Sequence, residues 1–210
     1  MISLFIDTST NKLIIGLYKD KKQMYLINED ANNDLSSRVL PNIKTALDSL
    51  NLRVNDIDDI YVVNGPGSFT GIRVGVTIAK TLAWSLNKPI YAVSELQLIA
   101  SSSKKQAIIP MIDARRGYVY AGIYNKNLKA VDDDQYISLE DLKKKVKKEY
   151  KKDEIEYISY NKFEDAVLPT IDIERLLSKG KFKSINAHLL NPNYLKKTEA
   201  EEKLNDKKSN

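Results

Sequence analysis

The alternation of hydrophobic and polar positions along the chain predicts a mixed α/β protein. Residues 2–6 are apolar apart from Ser3 and lead directly to Asp7, which is typical of a first buried strand. In the first half, the spacing of apolar residues predicts helices at 34–50 and 70–86 and strands at 59–63 and 90–93. The second half is expected to form strands near 108–112, 118–124 and 155–159 and shorter helices at 139–148 and 172–179.

An internal repeat indicates two related lobes. Four residues in the first strand and in the strand after it recur, without a gap, 106 positions later in the chain. This offset is about half the length of the chain. The identical pairs are Ile6 and Ile112, Asp7 and Asp113, Gly16 and Gly122, and Tyr18 and Tyr124. Each copy predicts a β-hairpin whose first strand ends on an aspartate. We therefore expect a first lobe at 1–105, a smaller second lobe at 106–197 and a flexible, charged tail at 198–210.

The most distinctive segment is the glycine-rich stretch at 65–75, which reads GPGSFTGIRVG. It lies between a predicted strand and a predicted helix, with Ser68 or Thr70 as the candidate N-cap. Backbone N–H groups at such a junction can hold an anion. The spacing, however, matches neither a Walker A loop nor the dinucleotide-binding pattern, because Gly71 is followed by isoleucine and arginine rather than lysine and serine. A tight turn that allows close packing is the preferred interpretation.

The helix that follows carries a stripe of very small residues. Gly71, Gly75, Ala79 and Ala83 recur at every fourth position and so lie on one face. Two glycines inside a helix cost about 1 kcal/mol each relative to alanine, so a close contact must offset them. The sequence leaves two alternatives open: the stripe packs on the chain's own sheet, or it presents a flat face to a partner.

Composition narrows the chemistry. The 210 residues carry a net charge of +5, no cysteine and a single histidine, His188. Disulfides, thiolate metal sites, cysteine nucleophiles and sites with two imidazoles are therefore excluded. The N-terminus lacks a basic region, and no apolar run approaches ~18 residues, so we expect no membrane span and a cytoplasmic protein.

The positive charge raises the question of nucleic-acid binding. Only six of the basic residues are arginines, and the densest lysine run, at 143–152, has acidic neighbours such as Glu140 and Asp141. A solvated helix face is the preferred interpretation of this run, and any contact with RNA through it is expected to be weak or indirect.

A repeated hairpin with a terminal aspartate resembles the duplicated lobes of the actin, sugar-kinase and Hsp70 (ASKHA) superfamily. Three motifs resemble the TsaB (YeaZ) family more specifically: LFIDTST at 4–10, GPGSFTGIRVG at 65–75 and IDARRGYVY at 112–120. The stretch PNYLK at 192–196 is also similar to a C-terminal motif of that family. The resemblance covers nearly the whole chain and implies the two-lobe ASKHA fold with a reduced second lobe.

The resemblance also implies a function. TsaB is a non-catalytic scaffold subunit that binds and activates the transferase TsaD in making threonylcarbamoyladenosine (t6A) at position 37 of tRNA, with TsaE as an ATPase partner, and it forms a homodimer when alone. The corresponding interface would lie on the helices at 35–50 and 70–86. We assign to it Leu35, Val39, Leu40, Ile43, Leu47, Gly71, Ile72, Gly75, Ala79 and Ala83. Leu35 stands where the family often has histidine.

The alternative is a degenerate nucleotide-binding protein or kinase that acts alone. The superfamily places metal and phosphate aspartates where Asp7 and Asp113 stand, but Ser9 and Arg115 replace the glycines of its phosphate loops. Asp7, Ser68, Asp113 and Arg115 are therefore assigned only as cleft-facing or anion-facing residues. We expect no catalytic residue, no metal and no cofactor. A metalloprotease is disfavoured because its metal site needs several closely spaced ligands and the chain has a single histidine.

Overall fold

A computed structural model describes residues 1–30 and 35–196, so the tail predicted at 198–210 lies outside the described residues. The first lobe contains β1 (Ile2–Asp7), β2 (Lys12–Lys19), β3 (Lys22–Asp30), α1 (Leu35–Ser49), β4 (Asp59–Gly65), α2 (Phe69–Leu86), β5 (Ile90–Ser94) and α3 (Glu95–Ala100). The remaining elements are β6 (Ala107–Asp113), β7 (Tyr118–Tyr124), β8 (Ala130–Ser138), α4 (Leu139–Glu149), β9 (Ile155–Ile158), β10 (Ala166–Val167), α5 (Ile173–Lys179) and β11 (Ser184–Ile185).

The two sheets share one topology. The first has the order β11-β5-β4-β1-β2-β3 and the second the order β10-β9-β6-β7-β8. In each, a three-stranded antiparallel meander is extended by two strands parallel to its first strand. The predicted duplicated α/β fold with a reduced second lobe is confirmed. The third strand of each meander, β3 or β8, was not predicted, because both strands carry several charged residues and expose part of their length.

The repeated residues have the same structural roles in both hairpins. The amide of Ser9 donates to Asp7 Oδ1 at 2.7 Å, and the amide of Arg115 donates to Asp113 Oδ1 at 2.8 Å. Both aspartates therefore close an Asx turn. Two residues before Tyr18 and Tyr124, a glycine makes room for the tyrosine ring, which passes within 3.0 Å of where a glycine Cβ would lie. This steric need explains why the Gly-x-Tyr spacing recurs.

The second hairpin has a shorter connection than the first. Asp7 pairs with Ile14, whereas Asp113 pairs with Val119, one residue earlier than the constant offset of 106 requires. The duplication thus keeps the strand order and the turn, while the pairing register has shifted by one position.

Strand β1 is buried on both faces, which explains its almost continuous apolar run. Leu4 and Ile6 face the core beneath α1 and α2. Phe5 faces a second core that includes residues of both lobes, among them Leu98 of α3 and Ile158 of β9. Helix α3 therefore sits where the lobes meet, and its Gln97 side chain donates to the carbonyl of Leu128 at 2.9 Å.

The second lobe ends earlier than the predicted boundary at 197. Strand β11 pairs with β5 of the first sheet, and Leu190 is buried in the first lobe's core. The amide of Asn193 then donates to the carbonyl of Asn64 at 2.7 Å. Residues from Ser184 onward thus belong structurally to the first lobe, because their apolar side chains cover the edge of its sheet and the side of α2.

The small-residue stripe of α2 packs on the chain's own first strand and the turn after it. The Thr8 hydroxyl donates to the carbonyl of Gly71 at 2.7 Å. A Cβ at Gly71 would lie 2.0 Å from the Thr8 carbonyl oxygen, and one at Gly75 would lie 2.4 Å from the Thr8 hydroxyl oxygen. Of the two alternatives left open by the sequence, the structure supports close intramolecular packing.

This packing corrects most of the predicted interface. Eight of its ten residues are buried in the first lobe, so their side chains are not available for direct contact with a partner: Val39, Ile43, Leu47, Gly71, Ile72, Gly75, Ala79 and Ala83. Leu35 is half-buried, and Leu40 is 52% exposed. Helical spacing marks the buried face of a helix but not what covers it, and here the sheet covers it.

We predict that Gly75→Val destabilises the isolated chain by about 1–3 kcal/mol, because the branched side chain overpacks the contact with Thr8. Urea unfolding would measure the loss. Thr77→Val is the matched control: Thr77 is exposed on the same helix, so its replacement should change stability by less than about 0.5 kcal/mol. Unfolding of Gly75→Val at the wild-type midpoint would contradict the packing argument.

Candidate functional site

The glycine loop is held against the turn between β1 and β2. The amide of Ser68 donates to the Ser9 carbonyl at 2.6 Å, and a Cβ at Gly67 would lie 2.1 Å from the same oxygen. The Ser68 hydroxyl accepts a hydrogen bond from the amide of Gly71 at 3.2 Å, so Ser68 is the N-cap of α2. Ser68 is exposed, but its amide and hydroxyl already have partners within the loop. These contacts favour a structural turn over a phosphate site.

Helices α1 and α2 pack side by side and leave apolar residues partly exposed. On α2, Val74, Ile78 and Leu82 recur every fourth residue and are half-buried. On α1, Leu35 is half-buried and Leu40 is exposed. We name these five residues the helix-pair face. The sequence contained a cue for the three α2 positions, their regular apolar spacing, but the neighbouring glycine stripe was the stronger pattern.

A second apolar and aromatic group lies along α2 beside the C-terminal segment. Trp84 is 66% exposed and contacts the ring of His188 with a centroid distance of 6.1 Å. At the start of the helix, the Arg73 guanidinium lies 3.8 Å from the ring centroid of Phe69 and donates to the Tyr194 hydroxyl at 2.9 Å. The single histidine is therefore an exposed packing residue here.

Two carboxyl groups are buried together where the lobes meet. Asp7 and Glu95 are both completely buried, and the Ser9 hydroxyl donates to Glu95 Oε2 at 3.0 Å. Burial raises the pKa of Glu95 well above its ordinary value, and the negative charge of Asp7 raises it further. Burial also raises the pKa of Asp7, although the Ser9 amide and a hydrogen bond from Glu95 oppose this. Of the two carboxyl groups, Glu95 therefore has the more strongly raised pKa, because the Ser9 amide stabilises the charge of Asp7.

The predicted equivalence of Asp7 and Asp113 holds for the turn but not for the surroundings. Asp7 is sealed from solvent, whereas Asp113 and Arg115 are exposed. The amide of Asp113 donates to Asn161 Oδ1 at 2.9 Å. Next to Asn161, Tyr160 has a raised pKa, mainly because it is buried and in part because of Glu95 and Asp7. The prediction that Asp7 faces a cleft is corrected: Glu95 and the elements packed around it close that position.

The described residues contain neither a cluster of metal ligands nor a helix that could span a membrane. Within 1–30 and 35–196, no three His, Cys, Asp or Glu side chains are close enough together to hold a metal ion. In the same part of the chain, no helix is both long and apolar enough to cross a membrane. Both members of the carboxyl pair are completely buried, so its geometry suits a structural contact between β1 and α3 within the first lobe.

Several proteins to which this chain is similar carry names from tRNA modification. A family model described as TsaD, tRNA N6-adenosine threonylcarbamoyltransferase, matches residues 26–168. A Bacillus subtilis protein named tRNA threonylcarbamoyladenosine biosynthesis protein TsaB is 40% identical over 146 residues, covering 67% of this chain and 64% of the relative. A Buchnera aphidicola protein of the same name, from the Schizaphis graminum symbiont, is 35% identical over 130 residues, covering 60% and 61%.

These matches span slightly less than two thirds of each curated relative's length. Among solved structures, YeaZ from Pseudomonas aeruginosa superposes with a TM-score of 0.74 at 22% identity. That superposition covers 92% of this chain and 99% of YeaZ. At this level of identity the likeness concerns the fold.

We predict that Glu95→Gln changes the pH dependence of stability. Above the ordinary glutamate pKa of 4.5, the folded state keeps a proton on Glu95 that the unfolded state releases, so wild-type stability falls as pH rises toward the raised pKa. Glutamine stays neutral and can still donate to Asp7 and accept from Ser9. The stability of Glu95→Gln relative to wild type should therefore increase with pH over this interval.

Urea unfolding from about pH 4 to pH 8 would measure the effect. Glu140→Gln is the control, because Glu140 is exposed on α4 and its replacement should leave the wild-type slope nearly unchanged. A constant difference between Glu95→Gln and wild type across the range would contradict the raised pKa of Glu95.

Proposed function

This chain belongs to the TsaD family, and its named relatives are TsaB proteins of t6A biosynthesis; from this premise we propose that it is a non-catalytic subunit that binds and activates a TsaD-like transferase. The transferase would modify adenosine 37 of tRNA. A TsaE-like ATPase as a further partner follows from the family resemblance of the sequence. The observation that carries the proposal is the helix-pair face, an apolar surface on a chain whose potential catalytic positions are occupied by internal contacts.

The internal contacts argue against independent phosphoryl or carbamoyl transfer. A metal-binding or phosphate-binding aspartate must present its carboxylate to the ligand, but Asp7 is completely buried and hydrogen-bonded to Ser9. The amide of Ser68 in the glycine loop donates to the Ser9 carbonyl rather than to a ligand.

The helix-pair face has the chemistry of a protein interface. Leu35, Leu40, Val74, Ile78 and Leu82 are apolar, lie on two adjacent helices and are each at least partly exposed. Partly exposed apolar groups on rigid elements are typical of a surface that becomes covered on association. In the absence of the transferase, the same face would pair with its own copy, which accounts for the expected homodimer.

The buried stripe supports this face indirectly. Gly71 and Gly75 bring α2 close to β1, and this contact sets the position of Val74 and Ile78, which lie beside the stripe on the same helix. A substitution in the stripe would therefore affect partner binding through the position of α2. A substitution on the helix-pair face would affect the contact itself.

We predict that Leu40→Lys and Ile78→Lys each weaken binding to the TsaD-like transferase of the same organism by about tenfold or more, equivalent to about 1.4 kcal/mol. Isothermal titration calorimetry would measure the affinity. Lysine has a helix propensity close to that of leucine and higher than that of isoleucine, so both isolated variants should keep their helices, which a thermal melt checks.

Leu168→Lys is the matched control, since Leu168 is 76% exposed outside the helix pair. It should bind the transferase like wild type. Wild-type affinity for both Leu40→Lys and Ile78→Lys would rule out the helix-pair face as the interface.

We also predict that the isolated chain neither hydrolyses ATP nor transfers threonylcarbamoyl to tRNA, and that t6A forms only when the transferase is added. Mass spectrometry of nucleosides from the treated tRNA would detect t6A. Turnover of ATP by the purified chain alone would instead support the alternative of a kinase-like protein.

A further inference from the structure

Three tyrosines form a contiguous aromatic group on one face of the second sheet. Tyr118 and Tyr120 are two residues apart on β7 and so share a face, and Tyr136 lies opposite Tyr120 on β8. The rings of Tyr118 and Tyr136 are stacked, with centroids 4.7 Å apart and planes 8° apart. The centroids of Tyr120 and Tyr136 are 5.8 Å apart. Although Tyr136 covers one side of its ring, Tyr118 remains 40% exposed.

Positive charges surround this aromatic group. The Lys196 ammonium lies 5.3 Å from the ring centroid of Tyr136. Arg115 and Arg116 occupy the turn directly before Tyr118, and both are exposed. The turn is held by a hydrogen bond from the amide of Tyr118 to the carbonyl of Arg115 at 3.0 Å. Within the described part of the chain, neither arginine forms an ion pair.

The backbone of this turn is unusual and displays the arginines. Arg115, Arg116 and Gly117 all have left-handed φ angles, of 68°, 54° and 78°. Such conformations are uncommon for residues with a side chain, so a tight connection here imposes them. The nearest acidic residues along this turn already have partners. Asp113 accepts from the Arg115 amide. Glu140 follows Leu139, whose amide donates to the Gly117 carbonyl, and its carboxylate pairs with Lys144 at 2.6 Å.

The lysine run at 143–152 differs sharply from this group. Three of its lysines are neutralised by carboxylates, as Lys143 pairs with Asp165 at 2.7 Å, Lys144 with Glu140 at 2.6 Å and Lys145 with Asp132 at 2.5 Å. No aromatic ring is recorded in contact with these lysines within the described residues. The three lysines paired in this way are thus poorer anion sites than the two arginines beside Tyr118.

We propose that one surface of the second lobe, the tyrosine platform, binds single-stranded nucleic acid. The platform consists of Arg115, Arg116, Tyr118, Tyr120, Tyr136 and Lys196. Unpaired bases stack on aromatic rings without regard to sequence, and a nearby guanidinium holds the phosphate backbone. Tyr118 supplies the exposed ring, Tyr136 fixes its orientation from behind, and the two arginines project from the same turn. A base-paired duplex hides its base faces and would gain only the charge contacts.

The choice of RNA as the natural source of this ligand rests on the proposed function, since the modified adenosine lies in a tRNA. The binding itself does not depend on it, because it follows from the rings and charges alone. An assay without any transferase therefore separates a failure of the tyrosine platform from a failure of the subunit proposal.

Fluorescence anisotropy with a labelled single-stranded RNA of about 12 nucleotides would test the platform, a length within the range of known single-strand sites. The full chain should bind this RNA, and Tyr118→Ala should raise the dissociation constant at least tenfold. Tyr118→Phe should bind like wild type, because stacking needs the ring and not the hydroxyl. Equal losses in Tyr118→Phe and Tyr118→Ala would overturn the stacking role.

The double variant Arg115→Ala/Arg116→Ala tests the charges. It should bind the RNA at least tenfold more weakly. The salt dependence of its binding should also be smaller, by the amount expected for the loss of about two phosphate contacts. Lys147→Ala/Lys148→Ala removes the same charge from α4 and should change affinity less than about threefold. Equal losses in the two double variants would show that only overall charge matters and would overturn the site.

Two further ligands complete the test. A single-stranded DNA of the same sequence should bind as well as the RNA or more weakly, and a duplex RNA of the same length should bind more weakly. Tighter binding of the DNA would overturn RNA as the ligand. Equal binding of the duplex, or no binding of the single-stranded RNA by the wild-type chain, would overturn the proposal.

Discussion

The close approach of helix α2 to the Thr8–Ser9 turn is the contact on which the rest of the first lobe depends. Thr8 donates to the Gly71 carbonyl and Ser9 accepts from the Ser68 amide, so the turn holds both the loop and the first turns of the helix. Ser9 also donates to Glu95 on the other side of the turn. One short connection therefore fixes the glycine loop, the height of α2 and the buried carboxyl pair. Only residues without a side chain at Gly71 and Gly75 allow it.

The same hairpin, used twice, has acquired two different environments. Asp7 and Asp113 both close an Asx turn with the amide two residues on, so this hydrogen bond has been kept. At the first hairpin, α3 brings Glu95 against the turn and excludes water. At the second, the turn projects two arginines and remains open. A local turn motif thus fixes this hydrogen bond, whereas the elements packed around it determine whether its aspartate is buried or exposed.

The sequence was informative where the constraint is local. The recurring aspartate and the Gly-x-Tyr spacing each serve a need within a few residues of chain, and together they predicted the duplicated fold. The interface was predicted less well, because a small-residue stripe indicates close packing without indicating the packing partner. Ala79 and Ala83 face the chain's own core, and the half-buried apolar positions Val74 and Ile78 lie beside them.

Other features could not be predicted because they depend on distant pairings. Glu95 meets Ser9 across 86 positions of sequence, and nothing near either residue marks the contact. The stacking of Tyr118 on Tyr136 requires the register of β7 and β8, which contains irregular positions. The return of the C-terminal segment to the first lobe likewise depends on β11 finding the edge of β5.

That return has a consequence for how the chain is made. During synthesis from the N-terminus, the residues of β5 and α2 leave the ribosome long before Ile185 and Leu190, which complete their packing. Until then, the nascent first sheet has an unpaired edge at β5, and the side of α2 later covered by Leu190 stays open. The first lobe therefore becomes complete only after the second has been translated. Completion of the first lobe thus depends on translation of the second. A chain whose synthesis stops within the second lobe would expose its first lobe to proteases and to unwanted strand pairing.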